Sequence, residues 1–569
     1  MRGARRIAAP TAVLLAVGLV ACAPTLPESV VPGTEITVAW SGELTSMNAA
    51  AAPSPGNVDV AETIRGDFGD MIDGEFVPDQ GFGSISIVAD DPFTVRYDLA
   101  EPVWSDGIPL DAADLMLGWA GASGFFPKED GAAADGADAE GAAEPDAAPD
   151  APVLDEFARA IEVTFEAPTI GWQQAVTVPV PAHVVGERAF GIDDPMEAKQ
   201  AVIRAVQEAD EAALEKIAQV WNEDFEVSGA KKIPADLLLS SGPFLVDEVS
   251  GAEEGQSVSL VPNAAYRGVA TANVARIELV PPGAEPLSAL GETLDVVQVA
   301  PVTANREAIR ELERKDLLVE TTHDGTLWAL LLRPSGVFTQ TQARTAFMHA
   351  APPTALSERG AGVWSTAYTG TTSMISAPGS RAYDIVNEDS GFTGTLGTTD
   401  DEPALEREAA GIADGARVCV LYDRGSEFAA GAFAGLKEAV AEAGWSVADC
   451  GSDDFGAALA SGGWDAVIQR TPIPQTPAQI AERWGSAGSW HADADRDALI
   501  VQLAQTTDVY EARDLLARIE ASIVRAAVAL PIAVNPRVTI VDRGVSGVAG
   551  RSGAAAPLTY GVAQWVVEP

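Results

Sequence analysis

Few side chains in this sequence are placed to do chemistry. Four histidines, His183, His323, His349 and His491, occur in 569 residues and stand far apart. None belongs to a His-Glu-x-x-His helix, the spacing that puts two imidazoles on one side of a zinc ion. No Gly-x-Ser-x-Gly turn is present to expose a serine nucleophile. The 83 acidic residues offer so many chance carboxylate pairs that none stands out as an acid–base couple. His183 reads as a structural, hydrogen-bonded histidine. His491, next to Trp490, fits either a cleft contact or an ordinary surface pair. The three cysteines are Cys22, Cys419 and Cys450. No catalytic residue, metal site or cofactor is expected.

The elements around these residues give them their setting. Arg2, Arg5 and Arg6 precede an apolar run over residues 7–21, a secretory signal too short for a span of roughly 20 residues. The run closes on Leu19-Val20-Ala21-Cys22, which resembles the bacterial lipobox and implies a diacylglyceryl group on the Cys22 thiol, cleavage before Cys22 and acylation of its new amine. Residues 1–21 are thus expected to be a lipoprotein signal peptide and 22–33 a tether. The chain would then sit on the outer face of the cell membrane, lipid-anchored at Cys22. The net charge of -47 repels phosphate, which excludes nucleic acid as a natural partner. It also favours a soluble monomer.

Residues 35–40 alternate as a first strand, and 84–88 with 93–99 read as a strand pair turning at Asp90-Asp91-Pro92. Asp111 and Asp114 mark a helix start. Residues 127–152 fall into Ala, Gly, Asp, Glu and Pro, an acidic loop without the ligand spacing of a calcium site. Residues 195–220 read as helical. Strand 417–422, helix 427–443 and strand 445–448 form a βαβ unit, which implies a parallel pair. Cys419 and Cys450 lie on or beside those two strands, so outside the cell they are either a disulfide or two buried thiols. A helix over 509–526 and a strand over 530–534 follow.

Five segments carry a more specific signal. They are Trp104-Ser105-Asp106-Gly107-Ile108-Pro109-Leu110-Asp111-Ala112-Ala113-Asp114; Pro179-Val180-Pro181-Ala182-His183; Ser241-Gly242-Pro243-Phe244 with Asn263-Ala264-Ala265-Tyr266; Ala343-Arg344-Thr345-Ala346-Phe347; and Gly544-Val545-Ser546-Gly547-Val548. In that order they resemble the extracellular solute-binding proteins of oligopeptide, dipeptide and nickel ABC importers. The resemblance implies an α/β, periplasmic-binding-protein-like bilobal fold with an additional inserted subdomain. Lobe I would take residues 34–50, 160–275 and 500–569, the subdomain 51–159, and lobe II 276–499. A small solute, peptide-like by the resemblance with nickel chelates and oligosaccharides left open, would be captured by hinge closure and delivered to permease and ATPase subunits. The loop holding Thr45, Ser46 and Asn48 is similar to the family's cleft loop. Trp364, Trp484 and Trp490 fall in lobe II and could stack on a ligand. Where peptide binders of the family hold the ligand amine with an aspartate, this chain has Arg470-Thr471. Arg470 there could grip a carboxylate instead. An extracellular hydrolase, and a surface lipoprotein that senses or scaffolds without transport, are the competing readings.

Overall fold

The computed structural model describes residues 26–568, apart from 73–74, 128–148, 156–158, 229–231, 253–254, 398–401 and 554–555. The signal peptide 1–21, Cys22 and the start of the tether lie outside the described residues, as does most of the loop 127–152. No helix among the described residues is long and apolar enough to cross a membrane.

Ten described strands share one sheet. In sheet order they are Trp445–Asp449, Ala416–Tyr422, Ala466–Pro472, Leu318–Leu332, Ala529–Val541, Val296–Val299, Val31–Ala39, Val274–Val280, Gly255–Pro262 and Phe244–Ala252. Val31–Ala39 runs parallel to both of its neighbours. At the other edge Ala416–Tyr422 runs parallel to Trp445–Asp449 and to Ala466–Pro472, and helix Glu427–Glu442 makes the first crossover. The parallel pair expected from the sequence is therefore present, and it carries the bridge Cys419–Cys450 with Cα atoms 5.7 Å apart.

Two strands are longer than the rest, and they join the halves. Leu318–Leu332 and Ala529–Val541 pair antiparallel with a register shift between His323 and Leu327. On one side of the shift Val296–Val299 pairs with Val538–Val541, and on the other Thr326–Leu332 pairs with Ala466–Pro472. Each long strand thus ends in a different lobe. The lobes have separate cores. In the first, Ile36, Val38, Trp104, Leu117, Phe244 and Trp565 pack on one side of the sheet, while Val297, Ile309, Leu312 and Ile540 pack on the other. In the second lobe Leu330, Phe347, Trp445 and Ile468 form one cluster, and Leu327, Ile480, Leu499 and Ile519 the other. Each such side chain taken out of water contributes roughly 1.5–3 kcal/mol before entropy is counted.

This division moves the expected boundaries. Residues 276–317 were expected in lobe II, but their strands flank Val31–Ala39 and their helix residues Ile309 and Leu312 pack in the first lobe. Residues 500–528 were expected in lobe I, yet Leu503, Leu515, Ile519 and Ile523 pack in the second. The separate four-stranded sheet of the inserted region runs Gly83–Asp90, Phe93–Leu99, Ala160–Thr164, Val153–Asp155, so it extends past residue 159. The strand expected over 530–534 continues to Val541, because Pro536 falls at the register shift, where a missing N–H is tolerated. The helical stretch 195–220 divides at Ala209, which takes φ 48°, into Pro195–Gln207 and Glu211–Gln219.

Four of the five segments singled out above act as staples. Asp114 is fully buried: its Oδ1 accepts from Trp104 Nε1 at 3.1 Å and from the Ala182 N–H at 2.9 Å, and its Oδ2 accepts from the Asp111 N–H. Lys199 Nζ, also buried, reaches Asp114 at 2.9 Å and Asp111 at 3.2 Å. Its ammonium is held charged against the cost of burial by these two carboxylates. His183 Nε2 lies 3.0 Å from Asp106, which ties the first segment to the second inside the first lobe. At Gly242 a Cβ would fall 2.7 Å from the Arg65 backbone nitrogen, so only glycine allows that approach. Arg344 is buried and spends its guanidinium on the carbonyls of Phe338, Thr339 and Ala526.

Candidate functional site

The register shift gathers polar groups where the lobes meet. Gly325 takes φ 77°, a left-handed conformation that side chains disfavour, and this turns the strand between His323 and Leu327. Asp324 points into the break and acts as a hub. Its Oδ1 accepts from the Thr326 N–H at 3.0 Å and Oγ1 at 2.6 Å; its Oδ2 accepts from Asn535 Nδ2 at 2.7 Å and Arg470 Nη1 at 3.4 Å. Asn535 Oδ1 accepts in turn from Trp328 Nε1 at 2.9 Å. Trp328 stands in register with Arg470 on one neighbouring strand and Ala533 on the other, which places the arginine beside the indole. Phe428 stacks on Trp328 and Tyr368 stacks on Phe428, each with ring centroids 4.7 Å apart. Burial and the charges of Asp324 and Glu427 push the Tyr368 hydroxyl up to about 12, so it stays a neutral donor.

The first-lobe side continues this array. Helix Pro55–Ile64 starts at the Ser54 cap and presents Asp59 and Glu62, three residues apart and so on one face. Asp59 accepts from Trp40 Nε1 at 2.9 Å and from the Leu558 N–H at 2.8 Å. Burial raises its pKa, opposed by those two bonds and by Arg537. Arg537, on the crossing strand, feels both Asp59 and Asp324; burial lowers its pKa, and its Nε has no partner. Glu62 is pushed up to about 7 by burial first and then by Asp70, with Arg551 pulling the other way. Arg551 pairs with Asp70 through both Nη atoms and lies 4.9 Å from the Tyr560 ring. Charge therefore alternates across the junction: Asp59, Arg537, Asp324, Arg470. Such an array can bind and orient a charged solute.

A nucleophile with a base is a different arrangement, and the histidines do not form one. His183 faces Asp106, and His349 lies between Glu406 at 2.6 Å and the Thr395 carbonyl at 2.9 Å. His491 sits at the far end of the second lobe, where burial and the nearby arginines lower its pKa. No group of three or more His, Cys, Asp and Glu side chains among the described residues could hold a metal ion.

Of the residues read as ligand contacts, Arg470 stands at this junction, with 55% of its side chain exposed. Thr45 and Ser46 give their N–H groups to Asn57, and Ser46 and Asn48 are buried, with Asn48 Nδ2 donating to the Trp221 carbonyl. Trp364 is buried against the first lobe, where its Nε1 donates to the Val302 carbonyl at 2.8 Å and Arg306 covers its ring. Thr471 is fully buried and accepts from Arg483, because it faces the opposite side of the strand from Arg470. Trp484 is buried in the second-lobe core. Trp490 is 44% exposed but rests on Trp464, at the end of the strand Ala466–Pro472 remote from the junction. Sequence reasoning missed Asp324, Asn535, Arg537, Tyr368, Asp59 and Glu62. Their one sequence signal is the interrupted alternation around Asp324-Gly325 and Asn535-Pro536.

No protein-family profile matches the chain. An uncharacterized lipoprotein of Mycobacterium tuberculosis is 28% identical over 326 residues, 55% of this chain and 53% of that protein. One of Mycobacterium leprae is 28% identical over 276 residues, 47% and 45% of the two chains. The match thus spans about half the length of these curated relatives. Solved structures align over nearly everything. The periplasmic EDTA-binding protein EppA superposes with TM-score 0.71 at 18% identity, covering 94% of this chain and 97% of its own. The fold is that of the periplasmic solute-binding proteins. The ABC transporter substrate-binding protein CtaP of Listeria monocytogenes gives TM-score 0.67 at 15% identity, over 94% and 100% of the chains. NikA of Brucella suis, solved with Fe(III)-EDTA, gives 0.62 at 14%, over 94% and 100%. In this bilobal solute-binding fold the junction described above lies between the lobes.

Proposed function

We propose that the chain is the solute-capturing subunit of an ABC importer, lipid-anchored at Cys22 on the outer face of the membrane. It takes a small peptide-like solute between its lobes, closes, and hands the solute unchanged to permease and ATPase subunits. The observation that carries this reading is the register shift in the two crossing strands, with the half-exposed Arg470 beside it. A shift of this kind gives a hinge, and a half-exposed guanidinium held there by one long bond to Asp324 gives closure something to grip. Closure is favoured only by a solute that touches both lobes better than water does. The carboxylate of the solute goes to Arg470, a reversal of the acidic grip expected for a free amine. The lipoprotein names of the mycobacterial relatives support the anchor. A structural neighbour of Bacillus subtilis solved with a nonapeptide supports the solute class.

Native mass spectrometry of the protein purified under mild conditions tests this, followed by a thermal-shift screen of short peptides. A retained solute and a raised melting temperature are expected, since binding to the folded state alone stabilises it by mass action. Release of a chemically altered product would overturn the reading in favour of an enzyme.

A further inference from the structure

The lobes also touch away from the crossing strands, at Thr303, whose N–H and hydroxyl donate to Glu427, and through one short segment of the first lobe, residues 166–171. Its ends are fixed there. The Phe165 N–H donates to the Phe93 carbonyl at 2.9 Å, and the two rings lie 5.8 Å apart. At the other end the Tyr97 hydroxyl donates to the Trp172 carbonyl, and Trp172 packs on the first-lobe core. Between these anchors Ile170 reaches across. Its N–H donates to the Ala504 carbonyl at 3.1 Å, and its side chain packs on the second-lobe cluster to which Leu499, Ile500 and Leu503 belong. Among the described residues it is the one side chain of the first 285 that joins this cluster. Ala504 ends helix Ala494–Ala504, so its carbonyl has no partner within the helix.

We propose that residues 166–171 are a strap that docks on the second lobe as the lobes close, with Ile170 as its plug, and that holds the closed form. This rests on the hinge-closure reading above and adds a contact that, beside the Thr303–Glu427 bonds, strengthens the closed form. The docked strap consists of one half-buried isoleucine and one backbone bond, flanked by exposed Glu166 and Pro168. Contacts of that size shift a two-state equilibrium by tens-fold and do not weld the lobes. Undocking costs neither lobe an internal contact: the helix-end carbonyl turns to water and the strap stays tied at Phe165 and Trp172. That separability distinguishes a latch from a piece of core.

Dyes on Val269→Cys in the first lobe and Tyr510→Cys in the second, both highly exposed, report the distance between lobes in the full chain. Ile170→Ala removes the plug, and Ile170→Pro removes the plug and the donated N–H. Single-molecule transfer should show the closed population falling about tenfold relative to open with Ile170→Ala, and further with Ile170→Pro, at an unchanged melting temperature. Hydrogen exchange should find the Ile170 amide protected in the parent. An unprotected amide, or the same closed fraction in parent and both variants, overturns the strap. If the parent closes on a peptide and the variants close equally, the strap alone fails and solute capture stands. If no variant binds peptide and all show one inter-dye distance, both fail.

Discussion

Replacing Arg470 by alanine separates its part in the fold from its part in binding. Its fold contact is a single 3.4 Å bond to Asp324 from a side chain 55% exposed. Asp324 keeps Asn535 at 2.7 Å and Thr326 at 2.6 Å without it, so no buried acid is orphaned. An exposed pair of this kind is worth at most about 1 kcal/mol. A solute carboxylate held by the guanidinium fork is another matter, since charge-assisted bonds of that kind contribute about 1.5–3 kcal/mol. At about 1.4 kcal/mol per decade, Arg470→Ala should weaken a free-acid peptide by roughly 10- to 150-fold. Arg470→Lys keeps the charge and loses the fork, so it should fall between. Calorimetric titration of the best peptide from the thermal-shift screen, as free acid and as carboxamide, reads the effect. The loss should appear for the acid and vanish for the amide. Equal affinity of parent and Arg470→Ala for the acid, or an equal loss for both peptides, would refute the assignment.

Three further outcomes follow from groups outside the junction. Glu520 is buried in helix Val509–Ala526 and pushed from 4.5 up to about 7 by burial, against bonds from Ser373 and the N–H groups of Met374 and Ile375. A carboxyl raised on folding contributes stability that is whole below its unfolded pKa and lost as pH rises through the folded one. Urea titrations should therefore show the parent losing up to about 3 kcal/mol relative to Glu520→Gln between pH 4.5 and about 7, and a pH-independent difference would contradict it. Changing Cys419 and Cys450 together to serine opens a link across 31 residues and should cost about 3–4 kcal/mol of unfolding free energy. Two alkylatable thiols in the unreduced, unfolded parent would show that the bridge does not form. Lys199→Met leaves Asp111 and Asp114 without their cation and should cost about 3–5 kcal/mol, seen as a lower urea midpoint at unchanged slope.

The staples of the fold were legible in the sequence for a physical reason. Trp104, Asp114, His183 and Gly242 each meet a requirement that few residue types satisfy, so their types and spacing persist as a readable pattern. Lobe boundaries were not legible, because they depend on which distant strand Val274–Val280 and Val296–Val299 choose, and both choose Val31–Ala39. The junction was least legible. Asp59, Asp324, Arg470, Asn535 and Arg537 come from four separate stretches, and each alone is an ordinary polar residue. Arg470 was singled out because it departs from an expected acid. Thr471 followed it into the site and was misplaced, since adjacent strand residues face opposite ways. Ser46 and Asn48 were read as contacts because their loop resembles the family's cleft loop, but here the Ser46 N–H goes to Asn57 and the Asn48 amide to the Trp221 carbonyl.

The position of the register shift ties these observations together. A sheet bends with least cost where its ladder is already interrupted, and the ladder between the two long strands is interrupted at residues 324–326 and shifts again between Trp328 and Ala329. Bending elsewhere would break paired N–H and C=O groups and disturb close-packed cores. On the hinge-closure reading proposed above, the lobes move as rigid bodies about a point where the lost backbone bonds are replaced by side-chain bonds to Asp324. That same carboxylate holds Arg470 by its weakest contact, 3.4 Å against 2.6–3.0 Å for the others. A solute carboxylate competing for Arg470 then acts on the hinge itself, and it does so without leaving Asp324 unsatisfied.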